Sequence, residues 1–494
     1  MMKNKNPIDN KILEISVKLD LAYESRDIEE IKRLIYSVKK VENSFDELSK
    51  IQLFYSIGTA FGNIFELSEG SIFNYDSEYI IQQIYYFRKA ISISNKIEIA
   101  SENMAFIHPI LCSLYTNYGN LLDAYGRKQL AIEMYRKAMK INSEFTMASG
   151  NLAISLDHYR YFVNETEQFH FVKEIKSLLE NALFIVDPNR FSMAEERFLK
   201  LYESYSAFDV SRECTCKDYE YNSISQDYSH WCHKNLLYLN PLNDLQSNEV
   251  YRYDDNLLLP NLLGNSKEDP TRYFSMFNQI KQEYIYARYL CFNSLEVDEV
   301  HFADENVSLI DCLDYTQYSV RIEGLKTAFK TLYSLLDKVA LLLNEYFSIG
   351  ISIRNINFHS IWNRSNVLKE LLNKNIGLLS IYWITKDFDY ESDSMTANPD
   401  SKKLKKIRNY LEHRFTNVTL DFYYQEKNST ESRLFLTEKE LRRSTIDLLH
   451  LTREVIFSLK NAIQIHEYQK RELLGDNAIA LPISLREFDL EDKL

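Results

Sequence analysis

Arg408 and His413 are the residues in this chain best suited to chemistry on a phosphodiester. Four residues stand between them in KKLKKIRNYLEHRF, Lys402 to Phe415. A guanidinium presents a planar fork of donors to phosphate oxygens, and an imidazole can take and return a proton near neutral pH. The polar Asn409 follows the arginine directly. Lys402, Lys403, Lys405, Lys406 and Arg414 crowd the same stretch against one acid, Glu412, and Asn398-Pro399-Asp400 ahead of it is a helix-starting signal. The chain as a whole carries 58 Lys+Arg against 71 Asp+Glu, a formal charge of −13. Such a field repels phosphate and excludes nonspecific coating of nucleic acid, so any contact with RNA must be local, and this basic island is where it would be made.

Spacing alone does not single the pair out. Arg354 to His359 (RNINFH) and Arg443 to His450 (RSTIDLLH) have related patterns. The first lies in an irregular Asn- and Ile-rich stretch without cationic neighbours, and the second places its histidine on the apolar face of a long helix. On a helix turning about 100° per residue, Asn409 and His413 share one stripe and Arg408 and Glu412 the adjacent one. The bland alternative is an Arg408–Glu412 surface ion pair worth about 0.3 to 0.5 kcal/mol. Glu412 and Asp337 are the acids expected to support the site from behind. Asp337 and Asn344 share a stripe of the apolar segment SLLDKVALLLNEYF, where polar groups must find partners or face a cavity.

A second constellation, Cys214, Cys216 and Cys232 with His230 or His233, contains zinc-ligand residue types. It lacks the paired Cys-x-x-Cys spacing of common zinc modules. With six Cys in 494 residues, free thiols are the reading adopted, and no metal or cofactor is expected.

The elements that must position these residues read as helices. Only 11 Gly and 8 Pro punctuate a chain that is 45% hydrophobic, which favours long helices over many-turned sheets. Apolar spacing over residues 9–43 predicts a helical hairpin broken near Ser25-Arg26-Asp27. The alternation becomes most regular over Leu114 to Phe145, which resembles a tetratricopeptide repeat: Gly119, Ala131, Tyr135 and Ala138 fill its small and aromatic positions, while Ser143 stands where Pro is usual. Weaker copies are marked by Gly62, Gly150, Phe87 to Ile91 and the stretch ending at Pro188, about four pairs in all. Stacked pairs bury a continuous core, and their concave face suits a peptide or protein.

The expected organisation is a repeat domain over residues 1–195, a connector over 196–269, a four- or five-helix bundle over 270–480 and a polar tail over 481–494. In the bundle, helices are predicted over Arg272 to Leu295, Val320 to Phe347, around Trp362 to Trp383, over the basic stretch and from Glu438 to about Leu474, with a β-like piece from Val418 to Gln425. The fold class is therefore all-α. The N-terminus lacks the apolar core of a signal peptide, and apolar runs such as Val339 to Leu343 are too short to span a bilayer, so a cytoplasmic protein without membrane contact is expected.

RNYLEHRF on a late bundle helix, preceded by NPDSKKLKK, resembles the signature of the HEPN superfamily, small helical ribonuclease domains of prokaryotic defence and toxin systems. The repeats, the connector LNPLNDL and the LLDKVALLLNEYF helix resemble the bacterial branch in which tetratricopeptide-type helices precede such a domain. The resemblance implies a homodimer whose motif helices meet, and metal-independent RNA cleavage through the 2′-hydroxyl. Arg408 and His413 would be its catalytic pair and Asn409 its polar companion, with Lys402, Lys405, Lys406 and Arg414 binding substrate. A non-catalytic alternative is a scaffold whose bundle binds RNA or a nucleotide without cutting it. Members silenced by adenylylation often carry Tyr two residues after the His, where this chain has Phe415, so the resemblance does not extend to that regulation.

Overall fold

The computed structural model describes residues 7–70, 77–185, 192–208, 223–245, 254–263, 271–295, 300–311, 313–363, 370–388, 401–421 and 429–475. Among the described residues the fold is all-α apart from one two-stranded sheet. The N-terminal part is built from antiparallel helix pairs. Asn10–Glu24 and Ile28–Lys39 form the first. Arg26 turns the chain at φ 58, and the Asp27 carboxylate caps the second helix by accepting from the Glu30 N–H at 2.9 Å. Ile12, Leu19 and Ala22 bury against the stripe Ile31, Leu34, Ile35 and Val38. Glu47–Ser68 with Glu78–Ser94, Ser101–Ala124 with Lys128–Ile141, and Thr146–Tyr159 with Glu165–Phe184 continue the pattern, and Ser192–Ser204 follows.

One device sets the spacing within these pairs. A Cβ at Gly119 would stand 2.7 Å from the Tyr135 ring, so only glycine lets that ring lie flat on the facing helix. In the preceding pair Phe87, which echoes Tyr135 in sequence, lies on Gly58 and not on Gly62, whose neighbour is the Gln83 side chain.

The connector passes through the interior. Leu237, Leu239, Asn240, Leu242, Asn243 and Asp244 are all buried. Its backbone polar groups are met by side chains: Asp255 accepts from the Leu239 N–H at 2.7 Å, and Arg288 donates both to Asp255 and to the Leu237 carbonyl. Tyr284 reaches that same carbonyl. An irregular segment can be buried only when its peptide groups are satisfied in this way.

The bundle consists of Thr271–Asn293, Val320–Tyr346, Ile376–Thr385, Ser401–His413 and Glu438–Leu474. In the region expected to be helical around Trp362 to Trp383, the described residues form a short 3-10 turn, Ser360–Asn363, helical residues 370–372 and the helix Ile376–Thr385, while 364–369 lie outside the described residues. The Asn375 side chain caps that helix by accepting from the Leu378 N–H, which fixes its start. The β-like piece also shifts. The strand is Phe415–Thr419, separated from His413 by Arg414 alone, and it pairs in parallel with Arg433–Thr437, while 422–425 of the expected piece lie outside the described residues. Thr316 bridges Thr419 on the other side. No helix among the described residues is long and apolar enough to cross a membrane.

One hydrophobic core runs from Ile8 to Ile463 through helix pairs, connector and bundle. Where pairs and bundle meet it contains a buried ionic cluster. Arg127 is 2% exposed, and its Nε and Nη2 donate to Glu454 at 3.0 and 2.8 Å while Nη1 donates to Asp387 at 2.9 Å. Arg88 donates to the same Asp387 and, through Nε, to the Tyr118 hydroxyl at 2.6 Å. Tyr125 packs on Trp383 beside it, ring centroids 4.7 Å apart.

Burial alone would raise the Asp387 carboxyl, but the Arg127 and Arg88 guanidiniums reverse that and hold it below its ordinary value of 3.8. The folded protein therefore binds that proton less readily than the unfolded chain. The resulting stability is present above about pH 4 and lost as pH falls through the lower folded value. Arg127→Met, which leaves Glu454 buried and unpaired, should destabilise the protein by about 3 to 5 kcal/mol. Urea unfolding at neutral pH checks this, and the gap between variant and wild type should narrow in acid.

Candidate active site

The basic helix Ser401–His413 is amphipathic. Leu404, Ile407 and Tyr410 are buried with Leu411 partly so, while Lys403, Lys406, Glu412 and His413 are exposed. The Tyr410 hydroxyl donates to the Thr430 carbonyl at 2.7 Å, tying the helix to the turn before the second strand. The helix-starting residues Asn398, Pro399 and Asp400 lie outside the described residues, as does the side chain of Lys402.

Arg408 stands at the edge of the buried stripe. Its guanidinium lies over the Tyr333 ring, 5.6 Å from the centroid, and Nη1 donates to the Asn409 side-chain oxygen at 3.2 Å. Asn409 thus orients the arginine. The surface ion pair to Glu412 is not formed: among the described residues no salt bridge joins them. The aromatic face and the Asp337 carboxylate on Val320–Tyr346 draw the guanidinium inward, while Glu412 points to solvent.

Asp337 supports this arrangement from behind. It accepts the Phe358 N–H at 2.9 Å, which anchors the irregular RNINFH stretch beside the motif helix. Burial raises its carboxyl, and that N–H and the Arg408 charge counter only part of the rise. Burial likewise pushes the Tyr333 phenol up to about 12 against the opposing pull of Arg408. Phe388 closes the floor, its ring edge-on to both Tyr333 and Phe358 at 5.7 and 6.1 Å. Asn344, the other polar residue of that stripe, is a structural clasp: its amide group exchanges two hydrogen bonds with the Ile351 backbone.

His413 ends the helix, exposed and without a hydrogen bond among the described residues. Five residues at about 100° each place it roughly 140° around the axis from Arg408 and about 7.5 Å along it. One chain therefore presents an inward-leaning arginine and an outward-facing histidine. The cations around them are divided in use. Lys403 pairs with Glu440 at 3.2 Å, and Arg414 stacks on Tyr410 and donates to the Glu431 carbonyl. Lys406 is exposed and Lys405 half-buried.

The other two Arg-to-His spacings fall elsewhere. Arg354 is exposed and His359 half-buried on the loop that Asp337 anchors. His450 lies where the C-terminal helix meets the helix pairs, and burial lowers its pKa with Glu133, Arg453 and Lys137 nearby. Cys214 and Cys216 lie outside the described residues. Cys232 is a free, fully buried thiol pushed up to about 11 by burial. No cluster suited to a metal ion occurs among the described residues. Tyr333 and Phe388 were not singled out in the sequence because an aromatic at helical spacing reads as core, and nothing local shows that a cation will lie on it.

Asp337→Ala should free the Phe358 N–H from its anchor and lower stability by about 1 to 3 kcal/mol. Thermal melting measures the loss, and limited tryptic cleavage after the exposed Arg354 should accelerate.

Comparison with known families places this geometry. Residues 264–466 match the family model described as LA2681-like HEPN. Neither the curated proteins nor the solved structures gave a match. The matched segment runs from the first bundle helix through the motif helix and sheet and into the last helix. The C-terminal bundle of this chain, with the Arg408-to-His413 helix inside it, is a HEPN domain of the LA2681-like family.

Proposed function

We propose that this protein is a metal-independent endoribonuclease acting through Arg408 and His413. The observation that carries the reading is an outward-facing His413 on the same basic helix of a HEPN domain as an arginine held by Asn409 and Tyr333. In this reading the His413 imidazole takes the proton from a ribose 2′-hydroxyl, whose oxygen attacks the adjacent phosphorus. The 5′-oxygen leaves and takes a proton from water to become a hydroxyl, and a 2′,3′-cyclic phosphate remains. Arg408 stabilises the charge that develops on the phosphate oxygens. Lys405, Lys406 and Arg414 bring the RNA backbone to an otherwise acidic protein.

The wide angle between Arg408 and His413 on one helix supports a site completed by a second copy, with two motif helices facing each other. The helix pairs, in the same reading, serve recognition of a protein or peptide partner.

His413→Ala should slow RNA cleavage at least roughly 100-fold, the span expected for loss of a general acid–base group, with the fold and oligomeric state unchanged. Lys405 and Lys406 replaced together by Ala should weaken RNA binding and flatten its salt dependence by up to two phosphate contacts, roughly two units of slope. Equal cleavage by wild type and H413A would end the catalytic reading. RNA binding with no cyclic-phosphate product would favour the non-catalytic scaffold.

A further inference from the structure

A cavity of about 390 Å³ opens where three parts of the chain meet. The helix pairs contribute Phe162 and Glu167, the connector contributes Leu257 to Asn261, and the C-terminal helix contributes Lys460. The site is far in sequence from Arg408 and His413, and its chemistry is of a different kind.

Lys460 is the unusual wall. It is 9% exposed, and its ammonium donates to the Phe162 carbonyl and the Gln464 side-chain oxygen, both neutral acceptors. No salt bridge neutralises it among the described residues. An ammonium has three donors, so one N–H remains unused at the edge of the cavity. A buried cation whose hydrogen bonds all go to neutral groups is costly to the protein, and burial pushes the Lys460 amine down to about 8, a fall that the Glu167 charge counters only in part. An anion in direct contact with the ammonium would supply the rest of the counter-charge.

Glu167 is the second polar wall, 8% exposed and also without a cationic hydrogen-bond partner. One carboxylate oxygen accepts from the Asn256 amide at 2.9 Å and the other from the Asn164 N–H at 3.3 Å. Each oxygen has a lone pair left for a ligand hydroxyl. Between the two, Phe162, Leu257, Leu259 and Pro260 give an apolar lining, with Asn261 exposed at the rim.

We propose that this cavity is a binding site for a nucleoside monophosphate. Its phosphate meets the Lys460 ammonium, its ribose hydroxyls meet the Glu167 carboxylate, and its base lies against Phe162 and Pro260. Carboxylate recognition of ribose hydroxyls is a recurring solution in nucleotide sites. The volume falls within the 300 to 1,000 Å³ common for small-molecule sites. A bare anion would leave both Glu167 and the apolar lining unused. A ligand held here joins the helix pairs to the helix that closes the HEPN domain, and it does so whether or not that domain cuts RNA.

The test is calorimetric titration of the full-length protein with AMP and UMP, with adenosine and inorganic phosphate as partial probes. The expected result is saturable binding of at least one nucleotide, with adenosine and phosphate weaker by roughly tenfold or more. Lys460→Met and Glu167→Gln should each weaken it by roughly tenfold to a hundredfold, the range for losing a charge-assisted hydrogen bond. Asn261→Trp blocks the rim from an exposed position and should abolish binding with an unchanged circular dichroism spectrum, which keeps the test decisive if the Lys460 variant fails to fold. Absence of saturable binding, binding indifferent to all three substitutions, or phosphate binding as tightly as the nucleotide would each overturn the proposal.

Discussion

Asp387 is the residue on which the architecture turns. Its carboxylate lies 2% exposed between Arg88 and Arg127 of the helix pairs, and Arg127 also grips Glu454 on the C-terminal helix. Two cations and two anions removed from water together are tolerable only because their geometry is nearly complete, with bidentate contacts and the Tyr118 hydroxyl taking a further donor. The next residue in the chain, Phe388, forms the floor beneath Tyr333, and Tyr333 carries Arg408. The link from the helix pairs to the motif arginine is thus one peptide bond and two ring contacts long. That makes the N-terminal half part of the same packed body as the HEPN domain, consistent with the single core that runs through both.

The motif helix shows how one short element serves two demands. Its buried stripe, Leu404, Ile407 and Tyr410, is needed to dock it on the bundle, and this fixes the direction of everything else on it. Arg408, next to that stripe, finds an aromatic face and a carboxylate. His413, far around the axis, finds solvent. An exposed imidazole has little to gain in stability from its position, whereas the arginine is held by Asn409, Tyr333 and the Asp337 charge. The lysines on the exposed side give this helix the opposite sign to the chain's net charge of −13. A polyanion therefore meets attraction here and repulsion over most of the remaining surface.

The connector and the helix pairs carry a different lesson about buried polarity. LNPLNDL is almost wholly interior, with Asp255 accepting from its Leu239 N–H while Arg288 and Tyr284 hold the Leu237 carbonyl just ahead of it. Asp244 in turn pairs with Arg453 at 2.9 Å and accepts from Tyr159, so the segment is clasped from both the bundle and the helix pairs. The sharp turn at Gly126 belongs to the same interface. Its φ of 78 and the Ile376 carbonyl, 2.6 Å from where a Cβ would sit, both require glycine there.

The helices were legible in the sequence because burial writes a period into it. Ile31, Leu34, Ile35 and Val38 announce one face of one helix, and scarce Gly and Pro leave long uninterrupted runs. The basic island and the Arg408-to-His413 spacing were legible for the same reason, since both are local. What the sequence could not contain was which distant groups meet. The partners of Arg127 lie 260 and 327 residues away, and GRK in a turn reads as a solvated corner until the fold closes over it. Arg408 reads as a partner for Glu412 four residues on, yet Tyr333 and Asp337 compete for it from another helix and prevail. Local spacing determined the helices and the candidate residues. Desolvation, which depends on what the tertiary structure packs against each charge, decided which of those residues are held and which stay exposed.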